Sequence, residues 1–201
     1  MNGSHAARGL GFLLAGLAAL ALTGCPLPQP LPEYKAGTAT PPRIQMDGIP
    51  YPDTILRVPA ACSTEPTYVL QGITLNDPNT AEQVVARWFV DYDAKDALHY
   101  AIQHQDIVPP AESGAADPTR RTVPTYTYAA YAYPDPINSS TPRNAAGVLH
   151  VLELVVSAGF DDSGSNPDSP PNRTPATGFE TQTYRWVFMT VPAGGDVTCP
   201  P

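Results

Sequence analysis

This chain is poor in the features that most often name a protein. It has no H-E-x-x-H, no G-x-S-x-G and no C-x-x-C, so neither a zinc site nor an activated serine can be read from a motif. No apolar run reaches the ~18 to 20 residues that a spanning helix needs. Charge is sparse at 15%, and Lys+Arg number 11 against 19 Asp+Glu, for a net charge of −8. That sign argues against nucleic acid and against a basic patch for anionic lipid. Only 3 cysteines occur. The sequence therefore reads as a non-enzyme, with a hydrolase lacking any recognisable motif as the minor alternative.

What is present begins at the N-terminus. Arg8 is followed from Gly9 to Leu22 by Gly, Leu, Phe and Ala only. This is the length of a signal h-region. Small residues and a cysteine follow as Leu22-Thr23-Gly24-Cys25. The segment resembles the lipobox of bacterial lipoproteins. The resemblance implies a signal peptide over 1–24, cleavage before Cys25 and lipid on its thiol. Two or more acyl chains, palmitate among them, hold a protein stably in one leaflet at ~0.8 kcal/mol per buried methylene. Pro26 stands where aspartate commonly signals inner-membrane retention, so the outer membrane is the expected location. Removing 1–25 takes away Arg8 and no acid, which leaves the remainder still more acidic.

Residues 25–42 read as the lipidated cysteine and a linker. Pro26, Pro28, Pro30 and Pro32 alternate with Leu27, Gln29 and Leu31, and Pro41-Pro42 follow. Such a segment favours polyproline II and reaches ~50 Å at ~3.1 Å per residue.

Residues 43–201 hold the expected domain. With 25 prolines and 15 glycines, short strands and many turns fit better than long helices. Period-two alternation marks 83–91, 148–157 and 181–191; β-rich composition marks 67–76 and 123–133, and a first strand is expected near Ile55–Val58. One face of the first segment carries Val84, Ala86, Trp88 and Val90, with Arg87 and Asp91 pointing the other way. Leu152, Leu154 and Val156 oppose Glu153 and Ser157. Loops are expected over 109–121, 134–147 and 161–178, none with an apolar face. Residues 93–108 fit a helix with Leu98, Ala101, Ile102 and Gln105 on one face, or a strand; strand is preferred. Of Tyr126, Tyr128, Tyr131 and Tyr133, half should face the core, the rest covering the sheet or offering a contact surface.

These segments suggest an all-β antiparallel sandwich. Ala86-Arg87-Trp88-Phe89-Val90-Asp91 resembles the C strand of immunoglobulin-like domains, where a tryptophan fills the core. Gly147 to Ser157 resembles the F strand of bacterial Ig-like and polycystic-kidney-disease-type domains. The resemblance implies about seven strands, with Thr67–Asp77 as B and Thr183–Val191 as G. It departs from antibody domains in lacking the B-to-F cysteine pair. After export Cys62 and Cys199 should pair. In such sandwiches the initial strand can run parallel to G, which puts both cysteines at one pole.

The remaining chemistry is thin. His99 and His104 would lie on opposite faces of a strand, and His150 reads as a packed histidine. Asp91, Asp93 and Asp96 are weak calcium candidates, lacking the glycine and closing glutamate of an EF-hand. Asp77-Asn79 and Asp161, Asp162, Asn166 and Asp168 read as turn acids. The expected task is non-enzymatic, without cofactor: an Ig-like domain presented to another envelope protein or to glycan. The alternative is a carbohydrate-binding or calcium-binding surface module.

Overall fold

The structure, a computed structural model, describes residues 40–52, 54–131, 145–163 and 169–201. The expected signal peptide, Cys25, nearly all of the linker, Tyr133 and most of the 134–147 loop lie outside the described residues.

Among the described residues the domain is an all-β sandwich of ten strands: β1 (Arg43–Ile44), β2 (Ile55–Pro59), β3 (Thr67–Leu70), β4 (Thr74–Asn76), β5 (Val84–Val90), β6 (His104–Val108), β7 (Arg120–Thr122), β8 (Tyr126–Ala129), β9 (Leu149–Ser157) and β10 (Gln182–Val191). Five form one sheet in the order β2-β10-β9-β5-β6. Within it β2 runs parallel to β10, and the other pairs are antiparallel. Facing it are β1-β4-β7 and β3-β8.

The count of ten exceeds the expected seven for local reasons. Leu70 pairs with Tyr126 and Thr74 with Thr122, so one register runs through both ladders. Between them Val123 N–H donates to the Ile73 carbonyl at 2.9 Å. Gly72, at φ +76°, and Pro124, which has no N–H, interrupt what are two long strands. The initial strand is also divided: β1 pairs with β4 in one sheet, and β2 with β10 in the other. A 3-10 turn, Met46–Gly48, begins the crossing. Gly48 permits it, since a Cβ there would lie 2.6 Å from the Gly72 carbonyl oxygen.

Two expectations are corrected. Residues 93–108 are a strand only over His104–Val108. Before it lie tight turns, with Asp96 O accepting from both His99 N and Tyr100 N at 2.9 Å, and Leu98 is 60% exposed. The expected 109–121 loop ends in β7, because Arg121 is drawn inward by Asp77. This ion pair has both side chains at least 95% buried, and Arg121 also donates to the carbonyls of Glu82 and Pro109.

The core follows parity. Val84, Ala86, Trp88 and Val90 of β5 and Leu152, Leu154 and Val156 of β9 are all buried. Trp88 pairs with Leu154. Its ring stacks on Tyr126 of the facing sheet at 4.5 Å and on Trp186 at 5.8 Å. Its indole N–H donates to Asp106 at 3.3 Å. Tyr126 and Tyr128 share one parity and both are buried. Tyr128 and Tyr68 meet Phe188 across the sandwich. Tyr126 and Tyr128 are therefore core, not contact surface.

Cys62 and Cys199 form a disulfide, with Cα atoms 5.5 Å apart. The parallel pairing of β2 with β10 explains it. Val191 pairs with Pro59, Ala60 N–H donates to the Val191 carbonyl at 2.7 Å, and both chains leave at the same pole.

Candidate interaction face

The outer face of the five-stranded sheet departs from a simple apolar-in, polar-out pattern. By parity Arg87, Phe89, Glu153 and Ser157 should meet solvent. All four are buried. The cover comes from residues 158–163 and 169–181, which take in the described part of the 161–178 stretch read from sequence as a loop with no apolar face. Arg87 makes a two-pronged ion pair with Asp162 at 2.7 and 2.6 Å, donates to the Asn172 carbonyl at 2.9 Å and to Gln105 at 2.9 Å, and lies 4.1 Å over the Phe160 ring. Arg87 is thus a buried charge with a partner, where sequence reading had it solvated. Asp162 in turn is held below the usual carboxylate range by the Arg87 hydrogen bonds. Ser157 Oγ–H serves the carbonyls of Gly159 and Glu180. Tyr92 O–H donates to the Pro171 carbonyl at 2.8 Å. Phe160 and Phe179, at the two ends of the proline-rich stretch, were the available sequence signal.

Glu153 is the centre of this half. It is 4% exposed and serves two guanidinium groups. Arg173 Nη1 lies 2.9 Å from Oε2, and Arg185 Nε–H donates to Oε1. Arg173 also sits 4.2 Å over the Tyr92 ring. Burial raises the Tyr92 hydroxyl pKa, opposed by Arg173. A cavity of about 390 Å³ opens here, lined by Tyr92, Arg173, Thr181 and Thr183 among others.

The other half of the face is bare. Leu149 pairs with Met189, and Val151 with Val187, which pairs with Ile55. Ile55 and Leu149 are 58% and 57% exposed, and Val151, Val187 and Met189 are half-buried. Five aliphatic side chains on three adjacent strands thus form one apolar patch. Arg57 borders it in an exposed ion pair with Asp196.

No family model matches this chain, and no curated protein or solved structure matches it.

The three calcium candidates do not form one site. Asp91 accepts from Val151 N–H at 2.6 Å and meets His150 Nδ1 at 2.7 Å. Asp93 accepts from Lys95 N–H, and Asp96 from Leu98 N–H while facing His99 at 3.7 Å. Asp91 is used across to β9 and Asp93 and Asp96 each in its own turn, and among the described residues no three metal-ligating side chains converge. His150 and His99 are buried, and His104 stacks on Tyr126 with Nε2 on Asp106 at 3.0 Å.

Proposed function

We propose that this protein is a lipid-anchored, non-enzymatic envelope component whose Ig-like sandwich presents the outer face of its five-stranded sheet to another protein. The observation that carries the reading is the aliphatic patch of Ile55, Val187, Val151, Met189 and Leu149 on the solvent side of a finished sandwich. Exposed aliphatics in register on neighbouring strands are a contact surface in the making. The immunoglobulin-like reading is supported by the initial strand shared between the sheets, its parallel pairing with the last strand, and Trp88 at the centre of the core. The anchor rests on the Leu22–Cys25 lipobox and the linker after it. A glycan-binding role has less support: Trp88 and Trp186, the natural stacking platforms, are 0% and 1% exposed.

Two measurements test the reading. Cys25→Ser should release the protein from the membrane fraction and abolish labelling with fatty acid; a labelled, membrane-bound variant refutes the anchor. A photo-crosslinking residue at Leu149 should give one discrete protein adduct in intact cells. The same residue at Val69, 43% exposed on the other sheet, should give none. Equal adducts, or none from either position, refute the face.

A further inference from the structure

We infer that the partner of this face offers a protein segment that sets a carboxylate side chain beside aliphatic ones, with the carboxylate docking on the Arg185 guanidinium. The inference rests on the contact face proposed above and names its chemistry.

The arginines of this face are unequally paired. The chain as a whole is acidic, at −8. Asp93 and Asp161 also lie near the outer face of the five-stranded sheet, so what is unequal there is direct pairing and not net charge. Arg57 is closed by Asp196 and Arg87 by Asp162. Arg173 and Arg185 share one carboxylate, that of Glu153. One of these two guanidinium groups therefore has no carboxylate of its own. The exposures identify which: the Arg173 side chain is 16% exposed and stacked on Tyr92, while that of Arg185 is 61% exposed. Arg185 spends Nε–H on Glu153, and its Nη1 and Nη2 donate no hydrogen bond among the described residues. Two parallel donors, held at their base by a buried anion and facing outward, suit the two oxygens of a carboxylate. The buried Glu153 fixes the guanidinium, so little side-chain entropy remains to be lost on binding.

The aliphatic half of the recognition follows from register. Arg185 is two residues from Val187 on β10 and shares its face, so the spare fork borders the patch of Val187, Ile55 and Val151. A partner that covers the patch brings its next outward side chain over Arg185. Aliphatic neighbours exclude water there and strengthen the charge-assisted contact. A second copy of this chain is disfavoured by its net charge.

The test uses the full chain and short random displayed peptides as probe. Selection on the native protein should enrich peptides with Asp or Glu beside Val, Ile or Leu. A selected peptide remade with Gln for Glu should bind about tenfold more weakly, ~1.4 kcal/mol. Arg185→Gln should weaken the original peptide to the same degree, and the two changes together should add little, since they remove one contact. Arg185→Lys should bind between the two, and each variant should still unfold cooperatively, since Arg173 stays on Glu153. Peptides free of carboxylate that bind Arg185→Gln undiminished, yet are lost on Leu149→Asp, overturn this inference and leave the contact face standing. Binding of polygalacturonate with no peptide selected overturns it in favour of a glycan. Self-association abolished by Arg185→Gln overturns it in favour of a second copy. Selected peptides indifferent to both Arg185→Gln and Leu149→Asp overturn the face itself.

Discussion

Trp88→Ala tests the architecture most directly. Trp88 is fully buried, stacked between Tyr126 and Trp186, and hydrogen-bonded to Asp106. A buried tryptophan removes up to ~250 Å² from water. At ~25 cal/mol per Å² that is about 6 kcal/mol, of which the remaining Cβ and partial collapse return a share. Measured truncations of large core aromatics lose ~3–5 kcal/mol. The two ring stacks place this site at the upper end, while Asp106 keeps His104 as a partner. The loss is comparable with the ~5–15 kcal/mol that holds a typical domain. Trp88→Phe should lose far less, mainly the indole hydrogen bond, at ~1 kcal/mol. Urea unfolding followed by far-ultraviolet circular dichroism, with the disulfide intact, gives both numbers. A Trp88→Ala loss below ~1 kcal/mol, the scale of a surface substitution, would refute the packing described.

Three further outcomes are expected. Asp77→Ala should cost ~3–5 kcal/mol because it leaves Arg121 buried without its counter-ion, whereas Asp196→Ala beside exposed Arg57 should cost under ~1 kcal/mol; equal losses in the same urea assay would contradict the burial assigned to each pair. Replacing Cys62 and Cys199 together by alanine should lower stability by up to ~5 kcal/mol, since the bond closes a loop with a sequence separation of 137; unchanged unfolding would show that the bridge is not formed. Asp162 has a depressed folded-state pKa, so the stability it adds is complete above the ordinary aspartate pKa and is lost as pH falls through the folded value. The stability gap between the native chain and Asp162→Asn should therefore close in acid, and a gap constant down to the acid limit would remove Arg87 as its cause.

Period-two alternation located β5, β9 and β10 to within a residue or two and put Trp88 inside, because parity is a local property of the chain. The Cys62–Cys199 bridge was equally legible once the first strand was placed beside the last. Parity states which way a side chain points and is silent on what lies there. Arg87 and Glu153 were read as solvated because their cover, Asp162 and Arg173, comes from a segment far along the chain with no periodicity of its own. The same blindness hid β7: Arg121 looks like a loop cation until Asp77 is seen opposite. The aliphatic patch left a trace, since Leu149, Val151 and Val187 sit at outward positions where polar residues belong. Alternation there marks a strand whether its outward positions are covered or open, so it does not single the patch out.

The sheet has an edge as well as a face, and the residues at that edge argue for the face as the meeting place. β6 ends the five-stranded sheet, and an unprotected edge strand would invite any extended chain to add to it. His104 and Asp106 point inward from β6, toward Tyr126 and the Trp88 indole. Inward-facing polar residues on an edge are a standard device against strand addition, since a new neighbour would have to desolvate them further. At the opposite edge β2 runs only from Ile55 to Pro59, and it ends in a proline, which has no N–H to donate, just before the disulfide. Both edges are short or blunted while the outer face keeps Ile55 and Leu149 exposed and Val151, Val187 and Met189 half-buried. The partner proposed above would therefore gain by lying across β2, β10 and β9 rather than by extending the sheet, and Arg185 stands in that path.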